Sequence, residues 1–391
     1  MKKKLLFLFL GIVLMMTFGW MGSLFFGRYL TPVLIRNNIF SKMGIFENDN
    51  KNTTIINKTE KILVKEDDSI TEISSNAVYS VVSVYSFSKN KNEKVSKNLI
   101  VPVEDYYSEG KNGAGTILTN DGVVVTHRTN IIEKEADYKV LTFGGNTLDA
   151  TLLGVDDFTD LAFLKVNGIN LTTVPIANSD DVNYGKKVII IGNVSGLQKV
   201  FLTDGILTGM DENFNLTGTE IASSEKLEGI FKVNFNGGDE YVGGPIINYN
   251  GELLAIGAMM KTGNENNFFH IPINAVKDSM QKIVENRLYQ TAKLGVYYIS
   301  LNSYYKNLKN LSVDKGALIY STSGKQGLAV IANSSAEKAG IMIGDIILSI
   351  DGNEINPNHP FSNFINQYEK GNTVTLNILR GGKEFELNVE F

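Results

Sequence analysis

The 391 residues are 43% hydrophobic and 20% charged, a globular balance, and their net charge of −5 argues against a nucleic-acid partner. There is no cysteine, which excludes disulfides, thiol catalysis and cysteine-held metals. Only His127, His270 and His359 represent histidine, so neither a histidine-rich metal site nor a cofactor is implied.

Lys2-Lys3-Lys4 precedes an apolar run from Leu5 to Phe26. About 20 such residues span a bilayer as a helix, and flanking lysines stay cytoplasmic. Residues 1–29 are therefore expected to be a cytoplasmic stub and a single transmembrane anchor in the cell membrane, with the rest of the chain extracytoplasmic. A cleaved signal peptide is the competing reading. Residues 30–69 are polar and aperiodic and read as a tether. Apolar spacing from Ile70 to Val82 predicts a short helix leading into a strand at Val81 to Tyr85.

From there the pattern is strand, turn, strand. Thr116 to Thr119 and Val123 to Thr126 flank Asn120-Asp121-Gly122, a hairpin signal. Further strands are expected at Lys139 to Phe143, Ala150 to Val155, Ala162 to Val166, Val188 to Ile191, Val200 to Leu207, Ile230 to Val233, Pro245 to Ile247 and Leu253 to Ala258. Many short strands with glycine turns mean a barrel or a sandwich. Ser88 to Asn112, carrying Tyr106 and Tyr107, reads as a polar surface loop. A helix over Pro272 to Arg287 closes a domain at 70–288. The remaining unit, 289–391, has strands predicted at Leu294 to Ile299, Gly327 to Ile331, Ile346 to Ile350 and Val374 to Leu379. Short helices are predicted at Ala336 to Ala339 and Pro360 to Glu369, and hairpins at Asp351-Gly352 and Gly381-Gly382.

Five blocks then occur in a telling order. They are Gly113 to Thr126, Asp160-Leu161-Ala162-Phe163-Leu164-Lys165, Ile191-Gly192-Asn193 with Gly196-Leu197, Gly243-Gly244-Pro245, and Phe269-His270-Ile271-Pro272. Together they resemble the HtrA/Deg family of trypsin-like serine proteases, in which a double β-barrel is followed by a PDZ domain. The resemblance covers roughly residues 70 to 391. It implies a mainly β chain: a trypsin-like double β-barrel plus a PDZ domain of strands and short helices. Carried over by position, the catalytic carboxylate falls on Asp160, the histidine on Thr129 and the serine on Val242. Threonine offers no basic nitrogen and valine no nucleophile, so serine-protease chemistry lacks two of its three groups. Glu240 stands where the family has an oxyanion-hole glycine, and a carboxylate there opposes developing negative charge.

Substitutes are scarce. His127 is two residues from Thr129, with its ring expected to point elsewhere. His270 reads as a core or rim residue and His359 as loop surface. Ser195 reads as a turn serine, since its glycine spacing is wrong for a nucleophile elbow. Lys325 near Ser323 reads as loop. Asp160 is expected to serve structure, capping nearby backbone. An active enzyme with a displaced triad needs Ser223 or Ser224 with His127 or His270.

The tail carries the more intact function. By resemblance, Lys293-Leu294-Gly295-Val296 is the carboxylate-binding loop, and Tyr297, Tyr298 and Ile299 belong to the strand that pairs with a peptide. The reading is a membrane-anchored pseudoprotease that binds unfolded or C-terminal peptides, in quality control or as a regulator or scaffold. The family often forms trimers, so a homo-trimer or a mixed oligomer with active members is a further alternative.

Overall fold

The computed structural model describes residues 2–25, 28, 66–89 and 110–391, apart from 168–169, 195–198, 218, 263–264 and 358. The tether, except its last four residues, and most of the Ser88 to Asn112 loop, including Tyr106 and Tyr107, lie outside the described residues, as does Ser195. Two compact units are present, 1–63 and 64–391.

The first unit contains helix α1 (Lys2–Phe25). Among the described residues no helix is long and apolar enough to cross a membrane. The expected anchor therefore stands on the sequence pattern alone.

The second unit opens with α2 (Glu66–Ala77), which starts inside the stretch read as tether. Two closed barrels follow. The first is built from β1 (Val81–Ser88), β2 (Lys111–Ile117), β3 (Val123–His127), β4 (Ala136–Thr142), β5 (Thr147–Asp156) and β6 (Leu161–Val166). The second uses β7 (Lys187–Val194), β8 (Lys199–Asn215), β10 (Glu228–Phe235), β11 (Pro245–Asn248), β12 (Leu253–Thr262) and β13 (Glu265–Pro272), with the two-residue β9 (Ala222–Ser223) between β8 and β10. Closure removes every free sheet edge. The alternating apolar residues of both barrels meet in one core through Val81, Val125, Phe163, Ile191, Ile256 and Phe269.

Helix α3 (Ile273–Val284) lays Ile273, Val276, Ser279 and Ile283 into this core. Ser279 donates to the buried Asp156 carboxylate at 2.5 Å, which also accepts from the Phe158 N–H at 2.9 Å. That carboxylate ties the β5–β6 turn to the helix, and the turn carries Asp160.

The C-terminal part is a sheet in the order β19-β18-β16-β15-β14-β9. Its strands are β14 (Tyr297–Ser300), β15 (Ala317–Ile319), β16 (Ile346–Ile350), β17 (Asn353–Glu354, paired with β16), β18 (Thr373–Arg380) and β19 (Lys383–Glu390). Helices α4 (Ser303–Lys309), α5 (Ser335–Ala339) and α6 (Phe361–Ile365) accompany it. One expectation needs correction. The strand at Gly327 to Ile331 is a 3₁₀ turn at Gln326–Leu328 with one bridge, Val296 to Val330; the stretch bonds the segment after Leu294 through Tyr297 N–H to Ala329 O and Ile331 N–H to Gly295 O instead of forming a ladder. The sheet is completed by β9 of the barrel region.

Candidate functional site

Thr129 sits in a 3₁₀ turn, Arg128–Asn130, directly after β3. Val242 follows another, Asp239–Tyr241, and is 2% exposed. Both line a cleft of about 380 Å³ between the barrels, with Asn130, Asn193 and Glu240. Gly243 explains why this loop is glycine-rich. Its φ is +89°, and a Cβ would lie 2.1 Å from the Ala114 carbonyl oxygen, so only glycine lets the two barrels approach here.

The polar groups of the loop are consumed locally. The Val242 N–H donates to Asp239 O at 3.1 Å, Gly243 N–H to Gly257 O at 2.7 Å and Gly244 N–H to Tyr241 O at 3.0 Å. The Val242 carbonyl accepts from Asn130 Nδ2 at 2.9 Å. Glu240 folds back to accept from the Gly238 N–H at 3.2 Å. An oxyanion needs preorganised donors aimed into the cleft. These three N–H groups are aimed elsewhere.

His127 corrects the sequence reading. Its ring points at Thr129, with Nδ1 2.8 Å from Thr129 Oγ1. His127 caps the 3₁₀ turn from the position before it, and its Nδ1 also accepts from the Thr129 N–H at 3.4 Å, which brings the ring onto Thr129. The ring is buried, and burial pushes its pKa down to about 4 in spite of the nearby Asp160 charge. His270 is also buried, 3.3 Å from the Phe231 carbonyl, and burial again lowers its pKa to about 4. His359 is exposed.

Asp160 is not a backbone cap. Its Oδ1 accepts from Arg128 at 2.7 Å and from Lys226 at 2.9 Å, and its backbone is left-handed at φ +56°. Ser223 and Ser224 both donate to Glu225, at 3.1 and 2.7 Å, and not to a histidine.

At the other site, Gly295 has φ +83°, and a Cβ would meet Ser334 Cβ at 2.4 Å, so this loop also requires glycine. Leu294, Val296 and Tyr298 are core residues with Ile299 nearly so, while Tyr297 is exposed. The Tyr298 hydroxyl donates to Glu228 at 2.6 Å, and Ser300 donates to the same carboxyl group. Burial raises the Glu228 pKa to about 7, against the opposing hydrogen bonds from Ser300 and Tyr298.

Two paired barrels with a cleft between them, followed by a sheet with a glycine loop before β14, define the class. It is a trypsin-like peptidase domain joined to a PDZ domain. Family profiles agree: the trypsin-like peptidase domain matches residues 106–256 and the PDZ domain residues 292–391. The periplasmic serine endoprotease DegP of Salmonella typhimurium is 30% identical over 285 residues, 71% of this chain and 56% of its own. The serine protease Do-like HtrB of Bacillus subtilis is 29% identical over 284 residues, 69% of this chain and 59% of its own. The chain spans little more than half the length of such relatives. Among solved structures, the HtrA-type protease AlgW with tripeptide shares the fold with a TM-score of 0.63 at 22% identity, covering 82% of this chain and 95% of that one. The chain is of the HtrA/DegP type.

Proposed function

We propose that this protein is a non-cleaving HtrA-type binding protein: a pseudoprotease whose barrels serve as scaffold and whose PDZ domain takes peptides by their C-termini. The observation that carries this reading is the pair Thr129 and Val242 at the positions of the base and the nucleophile. The inward-satisfied N–H groups of residues 242 to 244 support it, since none of these three is aimed at an oxyanion even where a serine is restored at 242. Casein cleavage by the purified chain is the test. No cleavage is expected, and cleavage that survives in Thr129→Ala and is lost in Asp160→Ala would sink the reading.

The His127–Thr129 contact favours one second reading, residual hydrolysis with the threonine hydroxyl as nucleophile. A base held near pKa 4 is weak at neutral pH, so a fluorophosphonate probe is expected to leave Thr129 unlabelled.

We further propose that the protein lies outside the cytoplasm, as the periplasmic names of its relatives suggest, and that it serves protein quality control. The basic start and the apolar run to Phe26 favour a membrane-held N-terminus, which alkaline extraction of membranes tests. Assembly as a trimer or with active relatives is part of the same proposal, and native mass measurement checks it.

A further inference from the structure

The peptide-receiving strand β14 already has a partner. Residues 222–225 of the barrel region, some seventy positions earlier, run antiparallel to it in the register Tyr297 to Ser223 and Tyr298 to Ala222. The pairing continues into the loop. The Ser224 N–H donates to Val296 O at 3.1 Å, and the Val296 N–H donates to Ser224 Oγ at 3.1 Å. The Gly295 N–H donates to Glu225 Oε1 at 2.8 Å. Ala222 is 3% exposed and packs into the PDZ core with Val296, Tyr298 and Phe361.

Each of these contacts is one that a captured peptide makes. An added strand pairs antiparallel with the sheet edge, and alternate side chains enter pockets. The loop's successive N–H groups take the terminal carboxylate. Here the Ser224 hydroxyl and the Glu225 carboxylate supply the acceptor oxygens, and Ala222, two residues before Ser224, supplies the pocket side chain. We propose that Ala222 to Glu225 is an internal ligand that occupies the peptide-binding edge of the PDZ domain, so that an outside C-terminus binds only by displacing it. This rests on the peptide-binding reading above.

The segment is held from the barrel side as well. Asn215 Nδ2 donates to Lys226 O at 2.8 Å, and Leu227 N–H donates to Phe158 O at 2.8 Å. Lys226 reaches Asp160, the carboxylate that matches the triad position. The ion pair with Asp160 and the carboxylate seated on Gly295 therefore come from neighbouring residues, Lys226 and Glu225. Because the ligand is part of the chain, its effective concentration is high, on the order of millimolar for a short connection, and apparent affinity for a free peptide falls by the fraction of chains that are open.

The probe is a fluorescein-labelled hexapeptide with the sequence of residues 219–224 and a free C-terminal carboxylate. It is titrated into the full chain and into Glu225→Ala and Ala222→Arg, with hydrogen exchange followed at residues 295–298. Glu225→Ala removes an acceptor, whereas Ala222→Arg excludes the segment by size, so one variant serves if the other does not melt cooperatively. Binding at least tenfold tighter to the variants than to the unchanged chain, with faster exchange at Gly295 and Val296, is expected. Equal binding to all three overturns the internal ligand and leaves peptide capture standing. Faster exchange in the variants without binding by any supports the internal ligand and removes peptide capture. Unchanged exchange and no binding overturns the proposal.

Discussion

The cleft between the barrels and the edge of the PDZ sheet are both closed, but by different means. At the cleft, the N–H groups of Val242, Gly243 and Gly244 are satisfied by carbonyls of the same barrel, beside the side chains of Thr129 and Val242. At the sheet edge, the N–H groups of Gly295 and Val296 are satisfied by a segment from another part of the chain, in the pattern a ligand uses. The first closure is part of the barrel packing itself. On the proposed reading, a competing C-terminus exchanges the second for an equivalent set of hydrogen bonds, at modest cost.

Substitutions that separate the two regions sharpen this contrast. Gly243→Ala places a Cβ on the Ala114 carbonyl at a positive φ, and a loss of about 3 kcal/mol or more is expected in chemical denaturation, with both regions affected. Next comes pH. Glu228, buried beside Tyr298, has its pKa raised to about 7, so the stability it contributes is full below its ordinary value of 4.5 and is lost as pH rises through 7. His127 and His270 are lowered to about 4, so theirs is full above 6.5 and is lost as pH falls through 4. Glu228→Gln is therefore expected to lift the pH 7.5 arm of a denaturation profile by about 1–3 kcal/mol relative to pH 5 and to leave the acid arm in place.

Asn130→Ala removes the donor that ties Val242 O to Thr126 Oγ1 across the cleft, at 2.9 and 3.0 Å. A loss of about 1–2 kcal/mol is expected, without change in exchange at Gly295, as a hydrogen-bonded buried group predicts. The smallest effect belongs to Lys226→Met. Its partly exposed pair with Asp160 is worth about 1 kcal/mol or less. Faster exchange at Gly295 in this variant would show that the two regions communicate through Asp160, and unchanged exchange would show that they are independent.

Much of the barrel and PDZ strand pattern was legible, because period-two alternation and glycine turns are local signals. Strands at Ile346–Ile350 and β18, and the helices near Ala336 and Ile273, stand close to where their residues place them. The assignment of Thr129 and Val242 to the family's base and nucleophile positions rests on a different kind of signal, the spacing from Thr126 and from Gly243-Gly244-Pro245. His127 was misread, since the sequence does not reveal that its ring caps the 3₁₀ turn Arg128–Asn130 and so lies against Thr129. Asp160 was read as a backbone cap, and its cations come from Arg128 and from Lys226, the latter 66 residues away.

Residue types and local spacing by themselves determined that this is a glycine-turned β protein with a peptidase-like loop in which Val242 precedes Gly243-Gly244-Pro245, because side-chain chemistry and short-range backbone conformation are written at each position. Which backbone donors remain free is not. The two-residue strand β9 has no periodicity to announce it, and it exists only because Tyr297 and Tyr298 lie against it. Hydrogen bonds between segments seventy residues apart depend on how barrel and PDZ sheet pack, so the tertiary structure alone decided that the PDZ edge is occupied from within.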